Sequence, residues 1–172
     1  MNADALVQAL PTLSQYGLSA WAVASNFLIL IILFLLFYCF LQYIGRGPFV
    51  AIILAFYCAY AVYLAFPYMS FLPSAPKLTA LLTHVGLYAV LVFIFYMILR
   101  RVAASDFVHV GILGILLLPF LASAFLMAMA YHVFLIPSIY NFPTQISVLF
   151  APDQFFFWWF ISPAIGLFFL AQ

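Results

Sequence analysis

"LQYIGRGPFVAIILAFYCAYAVYLAFP", Leu41 to Pro67, carries a single charge in 27 residues, Arg46, and sets it inside "GRGP", Gly45 to Pro48, between two apolar runs. A helix needs about 20 apolar residues to cross about 30 Å of hydrocarbon while keeping every backbone hydrogen bond internal. The run before Arg46 extends back to Trp21 and ends at Ile44. The run after it covers Phe49 to Phe66, where Pro67 stops it. Glycine and proline at the junction allow only a tight turn, so the stretch reads as an antiparallel helical hairpin that crosses a membrane twice.

Working outward, two more apolar runs are plain. One covers Leu78 to Leu99, after the proline-rich "SFLPSAPK". The other covers Val108 to Ile136, with Pro119 inside it, and its length predicts a tilt or a kink at that proline. The C-terminal "QFFFWWFISPAIGLFFLAQ" offers Phe155 to Ala171, interrupted by Pro163 and Gly166. It reads as a fifth crossing, with Trp158 and Trp159 in the interfacial belt; the alternative is a re-entrant segment buried against protein. Before Trp21, Leu6, Leu10 and Leu13 recur at helical spacing, as in a short interfacial helix or an ordered tail. The start lacks the positive charge of a secretory signal, so no cleaved peptide is expected. The expected fold is all-α: one transmembrane domain of about five helices, four clear and the C-terminal one possibly re-entrant.

Composition agrees. Of the 172 residues 71% are hydrophobic and 4% are charged, against about 25% charged in soluble domains. Arg46, Lys77, Arg100, Arg101, Asp4, Asp106 and Asp153 cannot cover a soluble exterior, so the lipid bilayer is the main solvent and partner. The net charge of +1, without a basic run, excludes a nucleic-acid footprint and offers no polybasic patch for anionic headgroups.

The stretch "ILRRVAASDFVHVGIL", Ile98 to Leu113, concentrates three of the seven charges. Arg46, Arg100 and Arg101 fall on one side of the membrane and Lys77 on the other. The positive-inside bias therefore puts the arginines in the cytoplasm, the N-terminus outside and the C-terminus inside. Arg46, Arg100 and Arg101 are read as topology anchors, the last two complementing a helix C-terminus, with Ser105 or Asp106 capping the next helix. An Asp106–His109 proton relay is the alternative.

No ionisable residue is expected at mid-membrane depth, which argues against a proton-driven transporter. His84 and His132 lie on antiparallel spans, each about 8 Å below the outer interface at 1.5 Å per residue. They are the candidate cofactor-binding pair, able in principle to ligate a b-type haem between them. The plainer reading bonds each to a carbonyl, to Tyr88 or Tyr131, or to water, and no cofactor is expected. Cys39 and Cys58 differ too much in depth for a disulfide and are read as small buried hydrophobes. No phosphate loop, zinc pair, nucleophile elbow or paired carboxylates occur, so no catalytic or metal site is assigned and no enzyme is expected. Ala51, Ala55 and Ala59, Ala61 and Ala65, and Gly111, Gly114, Ala124 and Ala128 thin helix faces for close packing.

The Arg-Gly turn at Arg46 and Gly47, followed by an alanine-studded helix in a chain near 170 residues, resembles the CvpA family of small bacterial inner-membrane proteins associated with colicin V production. The likeness runs over about residues 22 to 135. An acidic residue often found soon after that Arg-Gly is missing, and the C-terminal aromatic segment is extra. The resemblance implies a bacterial inner-membrane setting and no catalytic residues. Together these readings point to a non-enzymatic structural, assembly or interaction component, associated with other membrane helices as a homo-oligomer or in a larger complex. A small channel or transporter component and a haem-bearing electron-transfer subunit are the alternatives.

Overall fold

A computed structural model of the chain describes residues 21, 24–69, 72, 73, 75–103, 112–134 and 136–170. The expected interfacial helix around Leu6, Leu10 and Leu13, the Asp106–His109 pair, the Ser105 or Asp106 cap and Gly111 lie outside them. Among the described residues every regular element is helical: α1 (Leu28–Ile44), α2 (Arg46–Leu64), α3 (Lys77–Ala103), α4 (Ile112–His132), a 3-10 turn (Ile136–Ser138), α5 (Thr144–Phe150) and α6 (Asp153–Leu170).

Three helices are long and apolar enough to cross a membrane: α2, α3 over Lys77–Arg101 and α4 over Gly114–His132. The count becomes four if α5 and α6, bent by 76° at their junction, form one broken span. The expected five are not all matched. The first expected span, Trp21 to Ile44, is interrupted at Phe27, whose N–H turns back to the Ala24 carbonyl, and this leaves α1 only 17 residues. Ser25 and Asn26, just before the break, compete with the helix for backbone partners. Between the expected spans that end at Ile136 and begin at Phe155 lies α5, which buries Ile146 and Phe150.

One residue joins α1 to α2. Gly45 has φ +94° and ψ 170°, a region that is essentially glycine-only because a Cβ there meets backbone. Its N–H closes α1 on the Leu41 carbonyl at 2.9 Å. Arg46 then opens α2, and Pro48, which the sequence placed in the turn, sits inside the helix's first turn, where a missing N–H costs nothing. The chain folds back so that Phe37 meets both Phe49 and Phe56. Beyond the turn, however, α1 packs more extensively on α4 than on its hairpin partner.

The core centres on α4 and α2. The Phe125 ring on α4 stacks on Phe56 at 5.7 Å and touches Tyr57 and Phe160 at 5.0 and 5.3 Å, so α2, α4 and α6 meet at one aromatic hub. Rings suit this task because their large flat faces give shape-matched van der Waals contact between helices. Helix α4 continues through Pro119 as one element, and the Ser123 hydroxyl donates to the Pro119 carbonyl at 2.7 Å.

The largest pairing is α2 with α3. Ala51, Ala55 and Ala59 are fully buried, and Tyr63 continues their row one turn on and reaches α3. Ala61 and Ala65 are exposed, so the second alanine pair is not a packing face. Cys39 is exposed as well and Cys58 half-buried, both as free thiols; the reading of Cys39 as a buried hydrophobe is corrected.

Candidate functional site

The described charged residues lie toward the two ends of the bundle. In an antiparallel helix pair, residues at equal height have a constant sum of numbers. Tyr63 with His84, and Phe56 with Tyr88, therefore set Arg46 level with about Arg100. Arg46, Arg100 and Arg101 mark one end, and Lys77 and Asp153 open helices at the other.

At the Lys77 end, His84 and Tyr63 share a hydrogen bond, Nδ1 to hydroxyl, at 2.9 Å. Tyr88, one turn further along α3, donates to the Phe56 carbonyl at 3.0 Å. The Phe134 ring, just beyond α4, packs on Tyr63 at 5.9 Å and on Tyr88 at 5.3 Å. Aromatic side chains thus fill the space that a macrocycle beside His84 would need.

His132 belongs to a different cluster. Its Nε2–H donates to the Phe150 carbonyl at 2.8 Å, and its Nδ1 lies 3.3 Å from the Asp153 carboxylate. Both partners are acceptors, so the two bonds coexist only when the ring carries two protons. The Trp159 indole donates to the neighbouring carbonyl of Leu149 at 2.9 Å, and its ring stacks on Phe150 at 4.9 Å. These are last-turn carbonyls of α5, which have no partner within the helix. In apolar surroundings each would be costly unpaired, and α4 and α6 each supply one donor. Tyr131 adds a 3.0 Å bond to Ser147 on α5. Three polar contacts therefore clamp a seven-residue helix at the bend, and the His132–Asp153 contact ties α4 to the start of α6.

The candidate haem ligands His84 and His132 are thus held by different partners, one on α2 and one at the α5–α6 bend. His132 takes a carbonyl, as the plainer reading expects, and His84 takes Tyr63, which that reading did not name. Tyr88 and Tyr131 bond elsewhere. Among the described residues no three His, Cys, Asp or Glu side chains come together where they could hold a metal ion. Arg100 and Arg101 occupy the last turn of α3, as expected of anchors, and both are exposed. Trp158 is exposed, as a belt residue would be, whereas Trp159 turns inward to α5.

Two residues matter here, one read as an interfacial residue in the sequence and one passed over. Trp159 looked like its neighbour, and only the bend explains its role. Gly86 lies mid-helix on α3, is exposed, and a Cβ built on it meets nothing within 4 Å. A mid-helix glycine costs about 1 kcal/mol against alanine, and no contact within the chain accounts for that cost. Comparison with known protein families, with curated proteins and with solved structures finds no match.

Proposed function

We propose that the chain is a non-enzymatic integral membrane protein that works by presenting helix α3 to other membrane helices, first of all to a second copy of itself. The observation that carries this reading is the outer face of α3. Leu82, Gly86, Val90 and Ile94 recur every four residues, and all four are exposed. Glycine in such a row lets a second backbone approach closely, which is how helices associate in lipid. The interior supports a packed component over a conduit: Phe49, Phe125, Phe150 and Leu118 are almost fully buried, and Ser123, the buried polar side chain among the described residues, is bonded to its own helix.

In the fuller form of the proposal the chain crosses five times, α1 included, since 17 residues rise about 26 Å and reach the lower end of spanning lengths. The arginine end faces the cytoplasm, the N-terminus lies outside, and the resemblance to the CvpA family makes the bacterial inner membrane the setting. The test is cysteine cross-linking at Leu82 and Val90, in a background lacking Cys39 and Cys58, with the protein's mass measured in detergent. Cross-linked dimers that disappear in Gly86→Leu, with the melting temperature of the separated chain unchanged, are expected. A wild-type protein that stays monomeric and uncross-linked at every concentration in the bilayer overturns the reading.

A further inference from the structure

An open apolar slot of about 430 Å³ runs between α1 and α3, floored by Ile52 and Phe56 of α2 and Leu126 of α4. Its volume lies in the range of small-molecule sites, about 300–1,000 Å³. From Ala89 to Tyr96 the slot is about 11 Å long at 1.5 Å per residue. A single flexible hydrocarbon chain fits its apolar walls.

The slot has a direction. On α3 its lining residues Ala89, Phe93 and Tyr96 follow one helical row, and the next position on that row is Arg100, which is exposed. On α1 the row Leu36, Phe40 leads to Tyr43, which is 90% exposed. Both rows open toward the end that holds Arg46 and Arg101. Among the described residues that end carries three positive charges, whereas the other holds Lys77 and Asp153, one of each sign. The sequence shows no polybasic run; the antiparallel register of α2 and α3 gathers the arginines. A guanidinium at headgroup depth above an apolar slot matches a phospholipid in both halves, the phosphate on Arg100 and one acyl chain against Phe56 and Leu126.

We propose that the groove between α1 and α3 is a binding site for an anionic glycerophospholipid, with its acyl chain in the slot and its phosphate on Arg100. This goes beyond the assembly role, because the slot is lined by Ala89, Val92 and Tyr96 rather than by the Leu82–Gly86–Val90 row, and lipid adducts rather than dimer mass report its occupation. The experiment is native mass spectrometry of the full chain released from nanodiscs, comparing phosphatidylglycerol with phosphatidylcholine of identical acyl chains. The wild type should retain a phosphatidylglycerol adduct in preference to phosphatidylcholine. Arg100→Gln should lower that retention about fivefold, the worth of one basic residue near anionic lipid, and Arg100→Lys should restore most of it. Ala89→Trp, which fills the slot from an exposed position, should remove adducts of both lipids, with helix content and melting in lipid-free detergent unchanged. Equal retention by wild type and Ala89→Trp overturns the acyl seat, and equal retention by Arg100→Gln overturns the headgroup assignment. A change in dimer mass in Ala89→Trp with lipid adducts unaltered overturns the site in favour of a protein contact.

Discussion

Replacing Ala55 by Leu tests the row that joins α2 to α3. Ala55 has no exposed surface, and the three carbons that leucine adds have nowhere to go. Either the new side chain leaves its rotamer or the helices part. Overpacking of the first kind costs about 1–3 kcal/mol. Parting the helices instead loosens the Tyr63–His84 and Tyr88–Phe56 hydrogen bonds, each worth about 0.5–1.5 kcal/mol. Both routes give about 2 kcal/mol, and for a chain of this size that lowers the melting temperature by about 4–8 °C. Thermal unfolding in detergent, followed by helix circular dichroism, is the assay. Ala61→Leu is the control on the same helix: Ala61 is exposed, and its replacement should stay within about 0.5 kcal/mol of wild type. Equal shifts in the two variants, or no shift in Ala55→Leu, refute the assignment of this face to the helix interface.

Gly45→Ala forces a Cβ into a glycine-only conformation, so it should destabilise the protein by about 1–3 kcal/mol in the same melt, through local backbone strain, since a Cβ there meets nothing within 4 Å beyond its own chain neighbours. His132→Ala leaves the Phe150 carbonyl without its donor and Trp159→Phe does the same to Leu149. Each should cost about 1–3 kcal/mol and raise protease cleavage at the α5–α6 bend, and unchanged cleavage would show that the clamp is dispensable. The purified protein should show no Soret band, and His84→Gln or His132→Gln should leave the visible spectrum as it is; a band lost in either variant would restore the paired-histidine haem site.

The all-helical class and the apolar runs were legible in the sequence because lipid imposes a rule on every residue: the backbone must satisfy itself locally, so a run of about 20 apolar residues declares a helix without reference to anything distant. The alanine row on α2 was legible for a similar reason, since a four-residue repeat already defines a face. Which repeat is used was not. Ala55 and Ala61 are the same residue on the same helix, and only the neighbour that α3 provides makes one buried and the other exposed. The 76° bend before α6 was hidden, because it depends on carbonyls finding donors from other helices. His84 and His132 share one sequence signature, a lone imidazole near a helix end, yet one bonds a tyrosine and the other braces a bend. Charge order along the chain placed Arg46 and Arg100 on the same side of the membrane. The register of α2 against α3 alone set them level, one of them at the mouth of an apolar slot, because distance between residues far apart in sequence is fixed by packing.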